Sequence, residues 1–225
     1  MQTFFTLSSK QSKDLDIPLY LNARHLYNDA ALLANKNSSY NRATSLLVLS
    51  LEEMIKAVLI KMHSESLQVY NLEGAKNFFG QHKIRHQVAQ LMEVGYAFYE
   101  VIEEWEKKGR KGPLQKAGKL LKVFLIAYGS NERVKRLAKF NDYKNNGLYV
   151  NYRDQLLVPK DVIGESEFFE VKEAWHRCRH FYKVLCIIYH PKLGNHLSRN
   201  RIKEIQEDLK LFINEVMSEY SFSAK

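Results

Sequence analysis

The chain has 225 residues, 45% of them hydrophobic, and a formal net charge of +9 from 34 basic and 25 acidic side chains. That length can bury a full core as one domain. With no uncharged apolar run long enough to span a bilayer and no basic stretch leading into an apolar one at MQTFFTLSSKQSKD, neither a membrane span nor a signal peptide is expected, and the expected location is cytoplasmic.

Asp16, read as an N-cap with Pro18 in the first turn, opens a helix whose Leu19, Ala23, Leu26, Ala30 and Leu33 repeat at three and four residues to about Asn35. Asn37, Ser38 and Ser39 turn the chain into the stretch around which the fold is organised, LLVLSLEEMIKAVLIKMH from Leu46 to His63. At roughly 100° per residue, Ala43, Leu47, Leu51, Met54, Ile55, Val58 and Met62 fill one face, and Leu46, Val48, Ala57, Leu59 and Ile60 extend past both edges. A helix apolar on nearly every side belongs at the centre of a fold, and the short connection makes the first two helices a hairpin. One strip stays polar, with Arg42, Ser45, Glu52, Glu53, Lys56 and His63. Carboxylates and lysines are rarely buried unless paired, which leaves two readings. Either Glu52 and Lys56 form an i,i+4 ion pair on a half-exposed edge, or the strip faces a polar site.

The stretch from Ser64 to Gly80 is irregular, with Phe78 and Phe79 expected to fold back on the core. A third helix is expected from about Gln81 to Lys107, with Ile84, Val88, Leu91, Gly95, Phe98, Ile102 and Trp105 as its stripe. His82 and His86 lie one turn apart with Arg85 between them, a spacing that suits a metal or a phosphate. Both fall about 160° from the stripe centre, so they are solvent-exposed unless another segment covers them. Gly109, Gly112 and Pro113 break that helix, and Leu114, Ala117, Leu120, Leu121, Phe124, Leu125 and Tyr128 mark the next.

Ser130 caps a shorter basic helix ending at Asn145, Asn146 and Gly147, where an Asn-Gly pair suits the positive φ of a helix terminus. Leu148, Val150 and Tyr152 then alternate with polar positions, Arg153 to Gln155 make a turn, and Leu156 to Val158 run to Pro159, a small extended or hairpin element. Ser166 is read as the cap of a helix with Val171, Ala174, Trp175, Cys178, Phe181, Leu185, Ile188 and Tyr189 as stripe, and a last helix starts at Ser198. Cys178 and Cys186 lie two turns apart on that helix, about 12 Å, too far to bridge, and lack a second pair at zinc-site spacing; both are read as core fillers. His176, Arg177, Arg179 and His180 form a basic cluster read as a solvated face. The predicted architecture is all-α: an antiparallel helical bundle with one small hairpin near 148–158, a single domain with its core at about 15–160 and C-terminal helices at about 166–220 packed on it.

Charge is distributed unevenly. Between Lys107 and Lys144 twelve basic residues stand against Glu132 and Asp142, a net +10 that leaves −1 for the rest of the chain. Such asymmetry points to a surface that meets phosphates, with Lys116, Lys119, Lys122, Arg133, Lys135 and Arg136 as candidate nucleic-acid contacts. The competing reading is a lysine-rich solvated face, since aromatic interleaving of the kind seen in single-strand binders is absent there. There is no GxxxxGK[ST], HExxH or nucleophile elbow, so three common enzyme classes have no motif here.

Three stretches in order carry a resemblance: Leu51-Glu52-Glu53-Met54-Ile55-Lys56-Ala57, then Gln81-His82-Lys83-Ile84-Arg85-His86, then Gly147-Leu148-Tyr149-Val150-Asn151 with Pro159 beyond. Together they resemble the abortive-infection V (AbiV) family, a branch of the HEPN superfamily of helical bundles, in which an EE-x-x-K-A helix, an H-K-x-K/R-H segment and a G-L-Y-V-D stretch recur. The resemblance covers about residues 20 to 160. It implies a bacterial anti-phage defence protein that arrests the infected cell, working as a homodimer and triggered by a phage protein, with no cofactor and no metal. Many HEPN proteins are metal-independent ribonucleases in which an Arg, followed four to six residues later by His, serves attack by the ribose 2′-hydroxyl. This chain has no such pair, and Asn151 stands where the family has Asp.

Two functions of different class follow. One is a ribonuclease with a composite site, in which Lys56 and Arg85 hold phosphate, His82 or His86 acts as acid or base, Glu53 orients one of them, and Tyr149 joins them. The other is a non-catalytic effector that binds RNA, the ribosome or a phage protein through its basic surface.

Overall fold

The computed structural model describes residues 2–72, 74–81, 132–195 and 198–211. The expected helices at about 81–107 and 114–128 lie outside them, as does the end of the last helix. Within the described residues the chain is almost entirely helical, in the order α1 (Asp16–Asn37), α2 (Tyr40–Ser64), α3 (Glu132–Asn146), a two-stranded hairpin of β1 (Asn151–Arg153) and β2 (Gln155–Leu157), α4 (Pro159–Val162), α5 (Glu165–Ile188) and α6 (Arg199–Leu211).

The apolar surface of α2 places it at the centre. Its Leu47, Leu51, Met54, Ile55, Val58 and Leu59 are fully buried, and so are Val48, Ala57 and Ile60 beyond the main face. Helices α1, α5 and α3 all pack on it. Helix α1 presents small residues: Ala23, Ala30 and Ala34 are buried, the flanking leucines are only partly so, and Ser50 of α2 donates its hydroxyl to the Ala23 carbonyl. Without bulk at the contact the two backbones approach closely. The α1–α2 turn is a Schellman-type cap: Ser38 takes the left-handed conformation (φ 48°), its N–H donates to Ala34 O, and Ser39 N–H donates to Leu33 O.

Helix α5 covers another side of α2 with Phe168, Val171, Ala174, Trp175, Cys178, Tyr182 and Leu185. Aromatic rings bridge α1 and α5, with Tyr27 stacked on Trp175 at 4.1 Å and Tyr20 on Tyr182 at 4.7 Å between centroids. Asp16 is not the N-cap of α1; it sits inside the first turn, 4% exposed, and accepts the Tyr182 hydroxyl at 2.6 Å. Burial first and the Asp16 carboxylate second drive the Tyr182 pKa far upward, so the phenol stays a donor. Helix α5 likewise begins earlier than Ser166. Gly164 is its N-cap, and Glu167 reaches back to accept the Gly164 N–H at 2.9 Å, as a capping-box glutamate does.

Phe78 is fully buried, as expected, and Phe79 packs beside it against Phe4 and Tyr70. The N-terminal segment is held at the end of α2, where His63 stacks on Tyr70 at 3.9 Å and its Nε2 lies 2.9 Å from the Leu7 carbonyl oxygen. A carbonyl only accepts, so that nitrogen carries the proton. The hairpin pairs Asn151 with Leu157, Tyr152 with Leu156 and Arg153 with Gln155, and Asp154 makes its turn at φ 61°.

Candidate functional site

The polar strip of α2 divides into two parts. Its N-terminal part grips the end of α3. Ser45, fully buried, shares its hydroxyl proton between the Lys144 carbonyl at 2.9 Å and the Asn41 carbonyl at 3.2 Å, and Asn41 Nδ2 donates to the Gly147 carbonyl at 3.1 Å. Two turns further along, Glu52 is 2% exposed and meets Lys144 Nζ at 3.4 Å, the lysine itself being 8% exposed. The Glu52–Lys56 pair, one of the two readings of the strip, is not formed. Lys144 enters from α3 to cover Glu52, and Lys56, left on the more open edge of α2, pairs with Glu53. Both members of that second pair keep 19% of their side-chain surface. It is the half-open edge of the central helix that carries two of the sequence-derived candidates, Glu53 and Lys56.

Gly147 follows α3 with no positive φ, so the reason for a glycine differs from the one read in the sequence. A Cβ there would stand 2.3 Å from Ser45 Oγ, 2.4 Å from Asn41 O and 2.9 Å from Tyr143 O. Glycine is required because α3 ends directly against the backbone of α2. Two residues on, Tyr149 is 63% exposed. About 12 Å of helix separates Ser45, where Gly147 docks, from Glu53, and no hydrogen bond among the described residues joins Tyr149 to Glu53 or Lys56.

His82, Arg85 and His86 lie outside the described residues, as do Lys116, Lys119 and Lys122. Arg133, Lys135 and Arg136 stand on the backbone of α3, their side chains outside the described set. Of the remaining members of the basic segment, Lys139 is exposed and Lys144 is buried, so Lys144 serves the core.

The basic cluster read as a solvated face on α5 has His176 and His180 exposed and Arg177 and Arg179 half-buried, and two of its members join aromatic residues of α1 in a constellation that sequence reasoning did not assemble. Tyr27 Oη and His176 Nε2 lie 3.2 Å apart, Arg179 stands 5.7 Å from the Trp175 ring centroid and donates Nε–H to the Tyr20 hydroxyl at 3.3 Å, and Arg24 lies over Tyr20 at 6.0 Å. Burial first, then the cations Lys172 and Arg179, hold the His176 pKa below its ordinary value. The signal was present as aromatics at helical spacing on two separate helices, but only the packing joins them.

A family model described as AbiV, of the HEPN class, matches residues 12–180, three quarters of the chain. The chain belongs to the AbiV family. The matched span takes in the whole of α1 and α2, the clamp between Glu52 and Lys144, the Gly147 contact, the hairpin and two thirds of α5. AbiV membership identifies the helical bundle as a HEPN domain and places the protein among those of abortive infection, a form of anti-phage defence. No curated protein and no solved structure matches this AbiV chain.

Proposed function

We propose that this AbiV protein is an abortive-infection effector that arrests the infected cell by engaging RNA or the translation machinery, that it acts as a homodimer, and that a phage-encoded protein triggers it. The observation that carries the target class is the concentration of +10 between Lys107 and Lys144 against −1 elsewhere. A field of that asymmetry draws polyanions by counterion release and needs no base-specific contact. Lys144 is withdrawn to the core, while Lys139 of the same segment is exposed.

The second reading is a metal-independent ribonuclease built from Glu53, Lys56, His82, Arg85, His86 and Tyr149. Its support is the half-open position of the Glu53–Lys56 pair, from which Lys56 could be released to a phosphate. The absence of an Arg with His four to six residues beyond it favours the binding reading.

Titration of a single-stranded RNA across a range of salt concentrations tests the proposal. Affinity should fall steeply with salt, and replacing Lys116, Lys119, Lys122, Arg133, Lys135 and Arg136 with Gln should flatten the log–log slope by up to about 4, given roughly 0.7 per phosphate contact. An unchanged slope rejects the basic segment as the footprint. RNA cleavage that survives these substitutions but is lost in Lys56→Ala supports the ribonuclease instead.

A further inference from the structure

Arg24, Lys172, Arg179 and Lys183 stand along the seam between α1 and α5, and no carboxylate among the described residues pairs with any of them. Arg24 lies over the Tyr20 ring, and the Tyr20 hydroxyl accepts Nε–H from Arg179 at 3.3 Å, so two guanidinium groups share one tyrosine. Arg179 is half-buried and also stands 5.7 Å from the Trp175 ring centroid. These two contacts hold the group in place and leave its Nη atoms without an acceptor among the described residues, although charges that leave water are ordinarily paired. The acids close in sequence are engaged elsewhere: Asp16 accepts the Tyr182 hydroxyl, Glu170 the Tyr143 hydroxyl, and Glu173 meets Arg177 at 3.6 Å. Asp29 falls about 140° round α1 from Arg24. The crowding of positive charge registers on His176, whose pKa is held down by burial first and then by Lys172 and Arg179.

We infer that the α1–α5 seam is a track for the phosphate backbone of a single-stranded RNA, with the Arg179 guanidinium as the fork on one phosphate and Arg24, Lys172 and Lys183 on its neighbours. This rests on the RNA reading above and adds a contact surface outside the Lys107 to Lys144 segment. A guanidinium stacked on an aromatic ring with its Nη edge free is the geometry that takes a phosphate bidentately. Two features select a chain of phosphates over a single one. Lys172, His176, Arg179 and Lys183 fall within about 60° of one another around α5 and run along about 16 Å of it, a row and not a point. Aromatic rings also interleave with the cations here, as they do not between Lys107 and Lys144: Phe169, 47% exposed, lies under Lys172 at 5.4 Å, and Tyr20 and Tyr27 are half-buried in the seam. Cations that follow the backbone beside rings that take bases make up a single-strand platform.

The experiment follows the anisotropy of a labelled single-stranded RNA titrated with the full chain at several salt concentrations, with helicity checked by circular dichroism. Arg24→Gln/Lys172→Gln/Lys183→Gln leaves Tyr20, Tyr27, Trp175 and Arg179 in place and should flatten the log–log salt slope by about 2, at roughly 0.7 per phosphate contact. Arg179→Lys keeps the charge and loses the fork, so it should leave the slope unchanged and weaken binding about 10-fold. A wild type that binds no RNA overturns the RNA reading itself and this track with it. RNA binding by the wild type, with the slope and affinity of both folded variants unchanged, overturns the seam alone. Full affinity in Arg179→Lys overturns the fork, and equal weakening of uridine monophosphate and of the RNA by the triple variant overturns the track, because one phosphate then uses the whole row.

Discussion

Gly147 shows how one residue can carry an element's position. Any side chain there meets Ser45 and Asn41 within 2.4 Å, and two of the three atoms in the way are backbone carbonyls that cannot swing aside. Gly147→Ala should therefore cost about 1–3 kcal/mol in urea unfolding, or force α3 off α2; a cost under about 0.5 kcal/mol would show that the contact relaxes freely. The glycine was legible in the sequence, but its reason was not, because Asn41 and Ser45 lie about a hundred positions away and the local Asn-Gly pattern offered a different explanation. His176 supports a second prediction at this scale. Its pKa is lower in the fold than in the unfolded chain, for burial and for the nearby Lys172 and Arg179, so the unfolded state binds the proton more tightly. Its contribution to stability is then complete above the ordinary histidine pKa of about 6.5 and is lost as pH falls from there through the folded value. His176→Gln, which keeps an amide beside the Tyr27 hydroxyl, should flatten that part of the stability–pH curve relative to the wild type; equal slopes would remove His176 from the account.

Among the elements, α2 was the most legible, since eleven of its apolar residues are buried and only a sequence apolar all round predicts that. The polar strip was legible as an anomaly. Its resolution was not, because the cation that answers Glu52 is Lys144, 92 residues away, and Lys144 had been counted in the basic segment. The same long-range pairing took Asp16 from its apparent capping role to Tyr182. Breaking a buried pair from one side strands a charge, so Glu52→Ala should cost about 3–5 kcal/mol, while Glu52→Met together with Lys144→Met should cost little or stabilise. Urea midpoints of the two variants measure this, and a single variant as stable as the double one would show that Glu52 and Lys144 are not coupled. On the other edge of α2, the Glu53–Lys56 pair is partly solvated and one turn long, the kind of contact that contributes well under about 1 kcal/mol.

For the whole molecule, the sequence motifs gave the family and the helical periodicity gave the class, and both agree with the match over residues 12–180 and with the bundle around α2. The composite site was less legible. Its parts come from segments whose meeting depends on tertiary packing, and Glu53 and Lys56 stand well along α2 from the point where the Tyr149 segment docks. In the proposed reading charge acts at this largest scale, since a net +10 concentrated in one segment of the sequence needs no single residue in an ideal position. The claim that this field delivers the protective function is tested most directly in cells. Plaque formation is counted on a host expressing the wild type or the variant with Gln at Lys116, Lys119, Lys122, Arg133, Lys135 and Arg136, with equal expression and equal thermal stability confirmed. The wild type should suppress plaques, and the variant should restore them to the level of an empty host; full protection by a folded, equally expressed variant would contradict the account.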